Sequence, residues 1–272
     1  MQLSRYKLTS FLTCQRRFQL RYVTELRWPL QPVAAQRAAA FQRGEQFHAL
    51  MERHFLGMPV VLDQGADARL ARWWQTFQQH PPNLPAGRRF PGVSLSVPVG
   101  GIDGAGGHFL FGRFDLLILN DTTAHIFDWK TERNPRTEAQ LRDEWQTKLY
   151  LALATEGSGA LGFTYRPEQV AITYWFAEAP EKSVTLRYDG QQHARYWATI
   201  KATAERIDRR LIASNAIWPL TENWEHCKTC AYRNFCGRDV QTQELAFEEL
   251  EAALEEGPEP QLEPIETSLL VH

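Results

Sequence analysis

The sequence predicts an α/β protein built on a mixed sheet, and three observations carry that expectation. Apolar residues recur at helical spacing in several separate stretches; runs of strand character lie between them; and the order is helices, three strands, a helix, two strands and a last helix. The chain has 272 residues, 43% of them apolar, enough for one core with elaborations or two domains at most.

Residues 8–23 read as a first helix, with Thr9 or Ser10 as N-cap and Phe11, Cys14, Phe18 and Tyr22 along one side. Two prolines make residues 28–35 a connector. A second helix is expected over 37–55, where Phe47, Leu50, Met51 and Phe55 fall at helical spacing and His48 lies on the apolar side. A third, over 66–79, is closed by His80-Pro81-Pro82.

The alternation of Val93, Leu95, Val97 and Val99 predicts a strand, and the glycine-rich stretch from Gly100 to Gly107 a loose turn. Phe109 to Leu119 reads as one long strand, Asn120-Asp121 as a tight turn, and Ala124 to Thr131 as the hairpin partner. A helix follows over 137–155, with Leu141, Trp145, Leu149 and Ala152 facing inward. Residues 170–176 and 183–188 read as a strand pair, and 191–214 as a helix carrying Tyr196, Trp197, Ile200, Ile207 and Leu211. A cysteine-rich segment, a short helix and a Pro/Glu-rich tail expected to be mobile complete the chain.

The net charge of −2 is unevenly spread. From Gln241 onward there are nine Glu and no basic residue, so residues 1–240 carry a basic surplus of seven. A mildly basic body with an acidic tail suits a polyanionic partner without specifying one. No apolar run is long enough to span a bilayer, so no membrane partner is expected. The charged, interrupted N-terminus is not a secretory signal, and a cytoplasmic, reducing setting without disulfides is expected. A Gly-x4-Gly-Lys-Ser/Thr phosphate loop is absent, so unwinding would have to come from a partner.

Two carboxylates stand in apolar strands: Asp115 within FLFGRFDLLIL and Asp128 within AHIFDWKT. Burying such a group is costly unless it is paired or coordinates a metal. Side chains alternate along a strand, so Asp128 and Lys130 share a face, and strand pairing brings Asp115 towards it. Phosphodiester hydrolysis needs the phosphate neutralised, a water activated and the departing oxygen stabilised, and one or two Mg²⁺ or Mn²⁺ ions can do all three if carboxylates hold them at an open site. An isolated Asp-x-Lys is more often a solvated face, an isolated His48 more often a core histidine, and Gln146 and Tyr150 taken alone ordinary helix residues.

The ordered set resembles a known family. Gly112-Arg113-Phe114-Asp115, Asp128-Trp129-Lys130-Thr131 and Gln146-x-x-x-Tyr150 look like successive motifs of the RecB-like branch of the PD-(D/E)XK nucleases. Gly44-x-x-x-His48 resembles that branch's histidine motif. Cys14-Gln15-Arg16-Arg17-Phe18, ending in Tyr22-Val23, resembles its opening signature, with Gln15 where proline is usual. The resemblance implies a restriction-endonuclease-like core, a central mixed sheet flanked by helices, with an N-terminal helical part and a C-terminal iron–sulfur segment. Residues 1–240 would form the nuclease domain, with a helical insertion at about 28–85, and 241–272 an acidic tail. His48, Asp115, Asp128 and the Trp129 carbonyl would bind Mg²⁺ or Mn²⁺. Lys130 would orient or deprotonate the attacking water, and Gln146 and Tyr150 would position Lys130 or the DNA backbone.

The four cysteines are Cys14, Cys227, Cys230 and Cys236. The last three form Cys-x-x-Cys-x5-Cys, a spacing from which thiolates converge on one metal centre. A triplet with a distant singleton resembles the [4Fe–4S] site of AddB-type helicase–nucleases and of the CRISPR-associated exonuclease. Zinc and four free structural thiols are the competing readings, and His226, adjacent to Cys227, is not expected to replace a ligand. The expected function is a metal-dependent deoxyribonuclease, acting as an exonuclease on single strands or duplex ends, in repair, recombination or CRISPR adaptation, with a helicase or CRISPR integration proteins as possible partners. A non-cleaving DNA-binding or scaffolding subunit, or a zinc-bearing interaction module, is the alternative.

Overall fold

A short extended segment, β1 (Gln2–Leu3), leads into α1 (Arg5–Thr13), whose first turn is capped by the Ser4 side chain accepting from Lys7 N at 3.3 Å. The computed structural model describes residues 1–26, 35–62, 65–100, 107–213 and 216–238. The expected proline connector, the centre of the glycine-rich turn, and the short helix and acidic tail of 241–272 lie outside those residues. The first helix departs from expectation at both ends. It starts earlier because Ser4, not Thr9 or Ser10, supplies the capping oxygen. It stops at Cys14, whose extended backbone (φ −157°, ψ 109°) separates α1 from α2 (Gln15–Phe18) and a π-helical turn over Gln19–Val23. The break takes the Cys14 thiol out of the helical row and into a corner.

The second and third helices appear as α3 (Ala35–Phe55) and α4 (Ala68–Gln79), the latter capped by Asp67. Two sheets follow. Strands β3 (Ser94–Gly100) and β4 (His108–Arg113) pair antiparallel, and β1 joins β4 in parallel. The second sheet holds β2 (Arg88–Pro91), β5 (Leu116–Leu119), β6 (Ala124–Lys130), β7 (Val170–Phe176) and β8 (Val184–Arg187), in the order β2-β5-β6-β7-β8. Only the β6–β7 pair is parallel in that sheet, so it is mixed, as expected.

The expected long strand over 109–119 is in fact two strands in different sheets, divided at Phe114 and Asp115. The cause lies in what each half must cover. β4 alternates, with Phe109 and Phe111 more exposed than Leu110, because its sheet is covered on one face. β5 is buried at all four positions because helices cover both faces of its sheet. Gly112 marks the approach to the switch: a Cβ there would press on Leu149 and Leu153 of the overlying helix.

That helix is also shorter than the sequence suggests. Glu144 (φ −66°, ψ 142°) divides the expected segment into α5 (Glu138–Asp143), with a Thr137–Gln140 capping box, and α6 (Trp145–Gly157). Gln146 therefore sits in the first turn of α6. The last long helix is α7 (Gly190–Ile212), capped by Asp189, and a single turn, α8 (Glu225–Lys228), opens the cysteine segment.

Strand alternation sorts the sheet into two cores. Leu117, Leu119, Ile126, Ile172 and Tyr174 join the larger one, with Leu149 and Leu153 of α6 and Ile200 and Ile207 of α7. Leu116, Ile118, Phe127, Trp129 and Trp175 face Phe47 and Met51 of α3 and Trp73 and Phe77 of α4. The α3–α4 pair thus forms a full layer over one face of the sheet. Two helical layers meet at one end of β6, and the candidate site lies there.

Candidate active site

The antiparallel register explains how the two aspartates meet. Leu116 pairs with Phe127, so the next position back, Asp115, comes opposite Asp128 just where the ladder ends. Asp115 leaves the strand there, and its Oδ2 accepts the Trp129 backbone N–H at 2.8 Å. Its Oδ1 lies 2.9 Å from His48 Nδ1, which α3 brings in from the opposite helical layer. Asp128 is 3% exposed and its Oδ1 is 2.7 Å from Lys130 Nζ, the two side chains sharing a face of β6 as alternation requires.

Gln146 ties the group together from α6. Its Oε1 accepts from Lys130 Nζ at 2.9 Å and from Arg5 Nη1 at 3.0 Å, while its Nε2 donates to Asp128 Oδ2 at 2.7 Å. Arg5 was not anticipated from sequence. The available signal was the Ser4-x-x-Lys7 cap, which places Arg5 in the first turn of α1. Tyr150 is on the same helix, but its hydroxyl donates to the Arg113 carbonyl at 2.6 Å and its ring packs on Phe114, so it braces the strand switch.

The electrostatics follow from this crowding. Burial opposes charge on His48, but Asp115 and then Asp128 outweigh it and raise its pKa to about 9. Asp115 is lowered: burial would raise it, and His48 and the Trp129 amide prevail. Burial raises Asp128 to about 6 against the pull of Lys130. Lys130 is raised, Asp128 overcoming burial and the repulsion of Arg5. The two carboxylates are thus pushed apart in acidity.

An imidazole and two carboxylates are a hard, mainly oxygen donor set of the kind Mg²⁺ and Mn²⁺ take. Among the described residues, no three His, Cys, Asp or Glu side chains are drawn together tightly enough to hold an ion as they stand. At the sheet edge His48 Nδ1 and Asp115 Oδ1 face each other at 2.9 Å, and the buried Asp128 Oδ1, 2.7 Å from the Lys130 ammonium, makes no hydrogen bond among the described residues.

Cys14 is brought near Cys227 and Cys236 of the C-terminal segment, although no three of the cysteines are drawn together tightly enough to hold an ion as they stand. Cys14 lies at the α1–α2 corner, and the Arg16 N–H behind it donates to the Pro219 carbonyl at 3.0 Å, tying the two ends together. Burial pushes the Cys227 and Cys236 thiols up, and the nearness of Cys14 adds to both shifts. Cys230 packs with Leu20, Ala231 and Tyr232, and Cys236 lies against that group. All four are free thiols. In the same segment Arg233 is 2% exposed, and among the described residues none of its guanidinium nitrogens has a hydrogen-bond partner.

A mixed sheet between helical layers, with two aspartates and a lysine at one end, defines the class: a nuclease-type α/β core. Residues 2–237 match the PD-(D/E)XK nuclease superfamily, and the chain belongs to it. No curated protein matches the chain. Among solved structures, a candidate exonuclease from Eubacterium rectale is similar over 92% of both chains at 10% identity, with a TM-score of 0.50. A second, SSO0001, is similar over 88% of both at 13% identity, with a TM-score of 0.41. At such identities the first likeness concerns the fold alone. No helix among the described residues is long and apolar enough to cross a membrane.

Proposed function

We propose that this protein is a metal-dependent deoxyribonuclease of the RecB-like branch, acting as an exonuclease on single strands or duplex ends. One observation carries the reading: Asp115, Asp128, Lys130 and Gln146 converge at the end of the central sheet, with His48 closing the group from the opposite layer. Residues 1–240 form the nuclease unit, and a helicase or CRISPR integration proteins would be its partners in repair, recombination or adaptation.

His48, Asp115, Asp128 and the Trp129 carbonyl would hold Mg²⁺ or Mn²⁺, which supplies a polarised water and neutralises phosphate charge. The chain's own residues do the rest. Lys130, kept protonated beside Asp128, orients the attacking water and meets negative charge as it develops. Gln146 fixes the Lys130 ammonium by accepting from it, and Arg5 brings a second cation to the same amide oxygen. Tyr150 holds the end of β4 in place, which fixes where Asp115 leaves the strand.

The four cysteines we assign to a [4Fe–4S] cluster, zinc being the other occupant that thiolates take. Two features support a metal–thiolate centre there. Cys14 comes from the other end of the sequence to lie near Cys227 and Cys236, and a buried Arg233 with no hydrogen-bond partner among the described residues is costly unless negative charge is placed near it. The nuclease reading is tested with Asp128→Asn. Loss of both Mn²⁺ binding, read by electron paramagnetic resonance, and DNA cleavage is expected. Unimpaired cleavage by that variant would overturn the assignment.

A further inference from the structure

A second basic site lies away from the sheet edge. Arg206, Arg209 and Arg210 on the last turns of α7 line a cleft with Phe11 and Gln15 from α1 and α2. The cleft is closed on one side by an aromatic ring, with the Arg206 guanidinium 5.4 Å from the Phe11 centroid. Arg210 Nε donates to Gln15 Oε1 at 2.6 Å, which orients its guanidinium with a neutral acceptor. Arg209 pairs with Glu205 at 3.3 Å on an exposed helical turn. Among the described residues, neither Arg206 nor Arg210 has a carboxylate at ion-pair distance. The Arg210 guanidinium, oriented by Gln15, and the Arg206 guanidinium over the Phe11 ring, neither with a counter-ion among the described residues, form a fork suited to phosphate oxygens.

The position of the cleft gives the oxygens a source. α1 connects the two sites: Arg5 in its first turn touches Gln146, and Phe11 near its end lines the cleft. A helix of nine residues is about 13 Å long, which a nucleic-acid strand covers in a few nucleotides. We propose that this cleft is a phosphate-binding subsite for the DNA strand beyond the point of cleavage. Arg206 and Arg210 would grip the phosphodiester backbone and thereby set the register of the strand at the sheet edge. The proposal rests on the nuclease reading, since it takes the partner to be DNA.

The test measures binding of a fluorescent single-stranded oligonucleotide by the full chain carrying Lys130→Ala, so that the ligand stays intact. Arg206→Ala with Arg210→Ala should weaken binding about tenfold and flatten the dependence of log K on log salt by about 1.4, the share of two phosphate contacts. Arg195→Ala, an exposed arginine three turns earlier on α7, should change neither quantity. Gln15→Glu offers a route that removes no arginine: a carboxylate beside Arg210 neutralises the fork, leaves the fold intact and should also weaken binding. Free inorganic phosphate should compete poorly, because one ion replaces one contact of several. Unchanged affinity and slope in both cleft variants, or an equal loss in the Arg195 control, would overturn the subsite while leaving the nuclease reading intact. A parent that cuts and binds no DNA in any form would overturn both.

Discussion

Replacing Gln146 by Leu removes the bridge on which the candidate site depends. The side chain is 6% exposed and makes three hydrogen bonds at 2.7, 2.9 and 3.0 Å, each to a charged partner. A hydrogen bond to a charged group contributes about 1.5–3 kcal/mol, so the gross loss is several kcal/mol. Two effects reduce it. Asp128 and Lys130 retain their own ion pair at 2.7 Å, and leucine adds apolar contact with the larger core. The net cost should be about 2–4 kcal/mol, seen as a Tm lower by about 5–10 °C for a chain of this size. Unfolding in urea followed by tryptophan fluorescence reads it directly. A double-mutant cycle with Lys130→Met should give a coupling energy above about 1 kcal/mol, because the two side chains share one hydrogen bond. Equal stability of the Gln146→Leu protein and its parent, or strict additivity in the cycle, would refute the claim that Gln146 organises the site.

Three further outcomes follow from the geometry. Burial and then Arg187 lower the His125 pKa to about 4, whereas an unfolded histidine titrates near 6.5. Between those values the unfolded chain binds a proton that the folded one refuses, so stability should fall by about 1–2 kcal/mol as pH drops through that window. His125→Gln should flatten that slope in urea titrations; an unchanged slope contradicts the assignment. Gly92, at φ +61° with the Glu52 carboxylate where a Cβ would stand, should cost about 1–3 kcal/mol as Gly92→Ala, and calorimetry showing no loss would mean the turn is free to rearrange. Cys230→Ala should yield colourless, poorly soluble protein; a soluble, folded variant with unchanged metal content sinks the cluster assignment.

Much of the candidate site is legible in the sequence because its parts carry period-2 and helical spacings. Asp128 and Lys130 share a strand face whatever the fold, and His48 stands one residue from the buried Phe47. Gln146 was placed on the right helix, but its role depends on the break at Glu144, which puts it in a first turn facing the sheet. The strand switch at Asp115 was missed because an apolar run shows neither its partners nor its sheet. The change from alternation in HFLFGR to continuous burial in LLIL was the available signal. The interruption at Cys14 is hidden for a different reason: the residue is compatible with a helix, and the Arg16–Pro219 tie that follows the break comes from a distant segment. β1 and β2, at two and four residues, are too short for periodicity to reveal. The Ser4 cap can place Arg5 in the first turn of α1, but not against Gln146, which lies 141 positions away.

The central claim is that Lys130 and its carboxylates form a working hydrolytic centre. The most direct measurement is digestion of end-labelled single- and double-stranded DNA by anaerobically purified protein with Mg²⁺ or Mn²⁺, beside Lys130→Ala. The account predicts metal-dependent cleavage that the variant loses, with a product ladder stepping from the ends. Equal cleavage by both proteins, or none by the folded parent, would contradict it.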